Sequence, residues 1–198
     1  AVLVAGGAPA HAVADCWRID PRDSEVRFHL VALGAIHLHG RFERLSGRAL
    51  RSEGHDRIQV RVEVDAGSLT MASARYQAWA RSPEFFDVQR HPRVLFESEP
   101  LPLALLEDGG ELAGRLTVRG IERPVRFELR APACPEPYLH CRLHVQGEIR
   151  RAEFGMRSRR ITLSDRVALD LHLRVERDPA ACLDAASGAG RAPLPPAG

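Results

Sequence analysis

Three histidines near the start of the chain are the residues best suited to metal chemistry: His37 and His39, with His29 nearby. An H-x-H pair on a β-strand places both imidazoles on the same face of the sheet, as some zinc sites require. The sequence supplies no carboxylate and no third ligand beside this pair, and solvent-facing histidines are far commoner than metal ligands. We therefore predict no metal site and no required cofactor.

A hydrolytic triad could be drawn from Asp65, Ser68 and one of the nine histidines. The chain has no G-x-S-x-G nucleophile elbow, and all 28 basic residues are arginine, which rules out lysine-based covalent catalysis. We therefore predict no catalytic residue and no enzyme activity. The alternative is an enzyme that acts on an isoprenoid or another small apolar substrate, and it requires a histidine or carboxylate inside the fold.

Four cysteines indicate an oxidising compartment: Cys16, Cys134, Cys141 and Cys182. Of the three pairings that four cysteines allow, we favour Cys16–Cys182 with Cys134–Cys141. Cys16 precedes the first strand pattern and Cys182 follows the last one, and these strands are neighbours in a closed antiparallel barrel. Four reduced thiols are the alternative. The spacing of Cys134 and Cys141 is not that of a zinc site.

The two ends of the chain differ in composition from the rest. Residues 1–12 are small and apolar and end in an A-x-A pattern, so we predict a signal-peptide remnant and a periplasmic or secreted protein. An alanine-rich flexible terminus is the alternative. Residues 178–198 are rich in Ala, Gly and Pro and predict a disordered tail. The domain is then 13–177, and its net charge of +2 gives no argument for binding nucleic acid.

Apolar and polar residues alternate along most of the domain, which is typical of antiparallel strands with one face in water. The pattern predicts an all-β, closed antiparallel barrel of about eight strands. Segment 41–50 is predicted as one bulged strand, because its apolar residues fall out of step between Phe42 and Leu45. The clearest alternating segments are 26–30, 58–64, 94–96, 112–118, 125–129, 143–149 and 167–175.

One segment has no alternation: residues 71–82 contain good helix formers and precede Pro83. We predict a short helix that caps one mouth of the barrel, with Ser68 or Thr70 as its N-cap. Phe85 and Phe86 follow on a non-strand element, where they would either gate the mouth or anchor the helix to the rim.

Several segments resemble the YceI-like family of periplasmic polyisoprenoid-binding proteins, and they occur in the order in which the family has them. The resemblance covers roughly residues 16–176 and implies a lipocalin-like barrel with no established catalytic activity. It also implies an amphiphilic ligand with a long isoprenoid or acyl chain, such as a quinone or polyprenyl lipid. Residues 76–80 depart from the charged, histidine-containing stretch of the family. The matching segments are 17–20, 24–28, 40–42, 64–68, 81–87, 91–92, 114–125 and 154–156.

The candidate ligand-binding residues come from the inward strand faces, the helix and the Phe-Phe pair. For the inward strand residues the alternative is that they pack a filled core. Tyr76 and Trp79 would meet a headgroup, and exposed positions on the helix face are the alternative. Phe154 and Met156 would be soft lipid contacts, and packing at a strand bend around Gly155 is the alternative. The full set is Phe28, Leu30, Phe42, Val62, Tyr76, Trp79, Phe85, Phe86, Phe96, Leu116, Phe127, Val145, Phe154, Met156, Leu169 and Leu171.

Arginines 150, 151, 157, 159 and 160 surround Phe154 and are predicted to form a solvated rim; a transient contact with anionic membrane surfaces is the alternative. A homodimer is compatible with the sequence. A third interpretation, a secreted structural or interaction module, predicts a barrel without a cavity.

Overall fold

The computed structural model describes residues 15–51, 56–132, 140–159 and 161–179. The predicted signal-peptide remnant, Cys134, Cys182 and all but the first two residues of the predicted tail lie outside the described residues. Within these described residues there are twelve strands: β1 Cys16–Ile19, β2 Glu25–Ala32, β3 Ile36–Phe42, β4 Leu45–Arg51, β5 Arg57–Asp65, β6 Leu69–Met71, β7 Arg93–Ser98, β8 Leu101–Pro102, β9 Gly110–Val118, β10 Ile121–Leu129, β11 His140–Arg150 and β12 Arg166–Arg177.

All strand pairings are antiparallel, and the order β1-β4-β5-β7-β9-β10-β11-β12 closes on itself because β12 also pairs with β1. Four wall strands are interrupted, so that β1 continues into β2, β3 into β4, β5 into β6 and β7 into β8. The wall therefore has eight strands, which confirms the predicted closed antiparallel barrel. Closure removes the unpaired edges that an open sheet of this size would expose.

The alternation predicted from the sequence sets the inside and outside of the wall. On β2, Val26, Phe28 and Leu30 are buried, whereas Arg27 and His29 between them are exposed. The same alternation on β9 buries Leu112, Leu116 and Val118. Burying one apolar face of every strand against the others is what stabilises the barrel.

The prediction of one bulged strand over 41–50 is wrong. β3 ends at Phe42 and β4 begins at Leu45, with Glu43 and Arg44 between them. In a continuous strand, residues three positions apart face opposite sides of the sheet, yet Phe42 and Leu45 are both buried. The two-residue break between β3 and β4 lets the alternation restart with Leu45 facing inward. Ser68 holds this break, accepting a hydrogen bond from the Arg44 amide on Oγ at 3.0 Å.

Helix α1 spans Ala74–Arg81 and lies over one mouth of the barrel, close to the predicted 71–82. Its N-cap is Ser73, whose Oγ accepts a hydrogen bond from the Tyr76 amide, so the predicted caps Ser68 and Thr70 are wrong. Thr70 lies in β6, which pairs with β3, and a strand residue cannot also begin the helix. At the other end of the helix, Arg81 donates two hydrogen bonds to the Leu69 carbonyl and so fastens α1 to the wall.

A second short helix, α2 (Leu105–Asp108), lies at the opposite end of the barrel, and the sequence did not predict it. Its Leu105 and Leu106 side chains face the interior. In the described part of the chain, neither helix has the length and apolar character needed to cross a membrane.

Cys16 and Cys141 lie near the same end as α2, at 1% and 4% exposure, and neither is a free thiol. The predicted partners, Cys182 and Cys134, lie outside the described residues, so both pairings stay predictions. The Asp178 amide donates a hydrogen bond to the Cys16 carbonyl at 2.9 Å, so Asp178 lies beside Cys16. Cys182 follows Asp178 by four residues in the sequence.

Candidate functional site

The barrel encloses a cavity of about 170 Å³ between α1 at one end and α2 at the other. Each wall strand contributes its inward face, so the cavity follows directly from strand alternation. Fifteen of the sixteen residues predicted from the sequence line it: Phe28, Leu30, Phe42, Val62, Tyr76, Trp79, Phe85, Phe86, Phe96, Leu116, Phe127, Val145, Met156, Leu169 and Leu171.

Phe154 is the exception. It is fully buried in the 3-10 turn between β11 and β12, but it does not reach the cavity. The turn ends at Gly155, whose positive φ of 79° reverses the chain direction and leads Met156 into the lining. Phe154 therefore packs the turn, as the alternative interpretation held, while Met156 lies where a ligand would be.

The lining is almost entirely apolar. Among the described lining residues, Arg151 carries the one charge, and Tyr76 and Trp79 carry the other side-chain polar atoms. No histidine or carboxylate belongs to this lining. The part of the interior that the structure describes thus lacks the convergent acid and base that the enzyme alternative requires.

Two phenylalanine rings lie against the wall where each faces a glycine on the neighbouring strand: Phe28 faces Gly40, and Phe127 faces Gly147. A Cβ added to Gly40 would lie 2.3 Å from Phe28 Cζ, and one added to Gly147 would lie 2.2 Å from Phe127 Cδ1. A Cβ added to Gly114 would lie 2.4 Å from the Glu97 carbonyl oxygen and 2.8 Å from the Phe96 ring, which is diagonal to this glycine. Any larger residue would push these rings toward the barrel axis, so the glycines help to keep the interior hollow.

The aromatic residues after α1 close the mouth. Phe86 contacts two wall rings, Phe42 at 5.4 Å and Phe28 at 6.3 Å between centroids, and Phe85 lies edge-on to Trp79 at 4.3 Å. These residues therefore line the cavity and anchor the helix at once. The Trp79 indole N–H donates to Glu84 Oε2 at 3.0 Å, so this donor is occupied inside the protein.

Arg151 is not part of a solvated rim, and that prediction is wrong for this residue, which is only 2% exposed. Its guanidinium donates to the carbonyl oxygens of Met156, Ser158, Leu163 and Ser164, at 2.5 to 2.9 Å. The planar fork of an arginine can satisfy several carbonyls of one turn at the same time. Arg151 thereby organises the 156–164 loop around itself, and its guanidinium carbon lies 5.8 Å from the centre of the Phe85 ring.

Arg157 and Arg159 do lie at the surface, as predicted, whereas Arg160 lies outside the described residues. The Arg159 guanidinium carbon is 4.9 Å from the centre of the Trp79 ring. This cation–π contact connects the 156–164 loop to α1 across the mouth.

Exposed large apolar side chains cluster at the same mouth, which the sequence did not predict. Leu33 and Ile36 lie at the tip of the β2–β3 hairpin, and Ile161 lies in the neighbouring loop, at 67%, 45% and 101% exposure. The Leu33 amide donates to the Thr162 carbonyl at 2.7 Å, so the two loops are adjacent. Tyr76, on α1, is the fourth member, and we call these four residues the apolar rim.

Comparison with known proteins finds a family model, the YceI-like domain, that matches residues 17–175. Among curated relatives, an UPF0312 protein of Enterobacter sp. strain 638 is 30% identical over 124 residues, which are 60% of this chain and 62% of that protein. Protein YceI of Salmonella arizonae is 29% identical over 124 residues, 60% of this chain and 63% of the relative. The chain thus spans under two thirds of the length of these relatives.

Two solved structures share the architecture. BcnA of Burkholderia cenocepacia superposes with a TM-score of 0.67 at 18% identity, covering 79% of this chain and 98% of that one. A polyisoprenoid binding domain from Saccharophagus degradans, described as implicated in plant cell wall breakdown, gives 0.61 at 17% identity, over 82% and 98%. At these identities the likeness establishes the fold.

Proposed function

The chain belongs to the YceI-like family, and from that premise we propose that it binds a long-chain amphiphilic lipid, such as an isoprenoid quinone or polyprenyl lipid, inside the barrel. The observation that carries the proposal is the apolar cavity, which is lined from every wall strand and closed at its mouth by aromatic side chains. The structural neighbour described as a polyisoprenoid binding domain supports this ligand class.

The size of the cavity limits how the lipid enters. A dry apolar cavity of about 150 Å³ holds a molecule the size of benzene, and the cavity of about 170 Å³ is close to that. A longer chain needs more room, and the side chains at the mouth are best placed to supply it. We propose that Phe86, which is only partly buried between Phe28 and Phe42, moves aside as the chain enters.

The hydrophobic effect is sufficient to hold such a ligand. Each methylene that leaves water contributes about 0.8 kcal/mol, so ten of them contribute about 8 kcal/mol before the cost of ordering the chain. The apolar lining gives catalysis no acid–base pair to use, which favours a carrier or store over an enzyme.

We also propose that the protein is exported and that Cys16–Cys182 and Cys134–Cys141 are its disulfides. The short distance along the chain from Asp178 to Cys182 supports the first pairing, because Asp178 is already hydrogen-bonded to Cys16. That bridge would join the first and last wall strands, where the barrel closes.

Native mass spectrometry of the purified protein, followed by lipid extraction, tests the binding proposal. We expect a bound mass that is released by organic solvent and identified as an isoprenoid quinone or polyprenyl lipid. The same spectrum counts disulfides, since each one removes two hydrogens from the intact mass, and it reports whether the protein is a monomer or a homodimer. A barrel that is reproducibly empty and has no affinity for added quinone or polyprenyl lipid would contradict the proposal.

The apolar rim suggests where the lipid is exchanged. We propose that Leu33, Ile36, Ile161 and Tyr76 insert into a membrane surface that contains anionic lipids, with Arg157 and Arg159 beside them. The rim surrounds the mouth of the cavity, so a lipid could pass from the bilayer to the barrel without crossing water.

Co-sedimentation with phosphatidylglycerol-containing vesicles tests the rim. Burying one Leu or Ile contributes about 1.5 kcal/mol or more, so replacing Leu33 and Ile161 by serine is expected to lower partitioning by about a hundredfold. The control is Gln59→Ser, at an exposed wall position outside the rim. Equal partitioning of the double variant and the control would contradict membrane docking through this surface.

A further inference from the structure

Two histidines and an aspartate converge on the outer wall of the barrel, away from the lipid cavity. His144 on β11 lies opposite His172 on β12, and their rings stack with centroids 4.5 Å apart and planes 13° from parallel. His144 Nε2 is 2.9 Å from Asp170 Oδ1, and His172 Nε2 is 2.8 Å from the same oxygen. One carboxylate oxygen is thus shared by two imidazoles.

From this convergence we propose that His144, Asp170 and His172 form a binding site for a divalent transition-metal ion, Zn²⁺ in particular. One donor atom from each residue lies within 4.8 Å of the others, and no other group of histidine, cysteine, aspartate or glutamate in the described part of the chain meets this criterion. Two imidazoles and one carboxylate, with a fourth position open to water, are a ligand set that zinc accepts.

The two nitrogen–oxygen distances require only a small adjustment, whereas the two imidazole nitrogens, which lie within 4.8 Å of one another, would take the same spacing as the other ligand pairs. Zinc bonds of about 2.0 to 2.1 Å in a tetrahedron place neighbouring ligand atoms about 3.3 Å apart. The nitrogen–oxygen separations of 2.9 and 2.8 Å would therefore open by about half an ångström. His144 and Asp170 are half-buried and His172 is exposed, so the side chains have room to rotate and the ion can reach them from solvent.

Neighbouring groups hold the carboxylate in place. Gln146 donates from Nε2 to the second carboxylate oxygen, Asp170 Oδ2, at 3.3 Å. Arg130 in turn donates twice to Gln146 Oε1, at 2.9 and 2.7 Å, which orients the amide for that contact. Such outer contacts orient metal ligands, and here they leave Oδ1 directed at the two imidazoles.

Burial alone raises the pKa of the Asp170 carboxyl, but its hydrogen bonds with Gln146 and His144 outweigh burial and lower the pKa below its ordinary value. The carboxyl is therefore in the ionic form that a metal ligand must have.

Arginines on the same outer face oppose a cation. Arg27 on β2 lies across from Asp170, and Arg174 lies two residues beyond His172. Each is engaged by acidic partners, Arg27 with Glu25 and Arg174 with Asp23 and Glu176, which reduces the repulsion. Arg142 is also on this face, so we expect an affinity below that of a buried structural zinc site.

The histidines that the sequence singled out provide the matched control. The His39 ring centroid is 5.9 Å from that of His29 and 6.4 Å from that of His37. These three residues do not bring three ligand atoms within 4.8 Å of one another, as His144, Asp170 and His172 do. Asp170 borders the same surface pocket as His29 and His39, but among the described residues its carboxylate is grouped within ligand distance only of His144 and His172.

The experiment is a zinc titration of the full chain, stripped with a chelator and followed with a chromogenic zinc indicator. We expect one saturable equivalent for the wild type, at least a tenfold loss of affinity for Asp170→Asn and for His172→Gln, and about a tenfold loss for Gln146→Leu. His39→Gln is expected to bind zinc as the wild type does.

Three results would overturn the proposal: no saturable binding by the wild type, unchanged affinity in Asp170→Asn, or an equal loss in His39→Gln. Circular dichroism confirms that each variant is folded. Lipid content, measured in parallel, is expected to be unchanged in all of them, because the three ligands lie outside the cavity.

Discussion

We expect the Arg151→Met variant to lose about 4 kcal/mol of unfolding free energy. Arg151 makes two fully buried hydrogen bonds, to the carbonyls of Met156 and Leu163, and two partly buried ones. Methionine fills a similar volume but donates nothing, so these carbonyls would be left without their partner. Each buried bond to a charged group is worth about 2 kcal/mol.

Urea unfolding followed by tryptophan fluorescence measures this loss. Arg150→Met is the control, because Arg150 is the adjacent residue but is exposed on β11. Arg151→Lys keeps the charge and loses the planar fork, so we expect it to recover only a small part of the stability. A loss below about 1 kcal/mol in Arg151→Met would show that water replaces the guanidinium at these carbonyls.

We expect the Val62→Trp variant to bind lipid at least about a hundredfold more weakly than the wild type, because the indole would occupy the space of several methylenes. Val62 is buried in the middle of β5, next to Phe96 on the neighbouring strand, and it lines the cavity. The measurement is displacement of a fluorescent isoprenoid analogue from delipidated protein.

The control for the cavity variant is Gln59→Trp, which adds the same indole to an exposed position on the same strand. Overpacking costs about 1 to 3 kcal/mol, so unfolding is measured alongside binding. If Val62→Trp does not fold, Gly147→Ala addresses the same cavity from the wall, since its methyl group would displace the Phe127 ring inward. Unchanged binding in a folded Val62→Trp would show that the lipid does not occupy the barrel interior.

The barrel and its inward-facing residues could be predicted from the sequence because strand alternation is a local property. Each residue of β2 or β9 faces in or out according to its neighbours along the chain, and the sequence records that directly. This is why the sequence predicts that Phe28, Val62 and Leu116 face inward, and in the structure all three line the cavity.

The register between strands was not predictable in the same way. The register depends on which residues of two distant segments lie opposite one another. A shift of one strand along its neighbour would give every residue a different partner. Phe127 lies flat only because it faces Gly147, and His144 meets His172 only because β11 and β12 pair in this register. His144 on one strand, and His172 two residues after Asp170 on the other, were the available signal, but the sequence does not state how the two strands align.

Arg151 shows the second limit. In the sequence it is one of several arginines around Phe154, and nothing local separates it from Arg150 or Arg157. Burial of the cation depends on the carbonyl groups of the 156–164 loop, which converge on it only in the folded chain. Alternation alone therefore determined which side chains of the strands face the interior. Only the tertiary structure decided that the interior is hollow, where its mouth lies, and that Arg151 is the charge buried beside it. These features follow from strand register and loop closure, which depend on contacts between residues far apart in the chain.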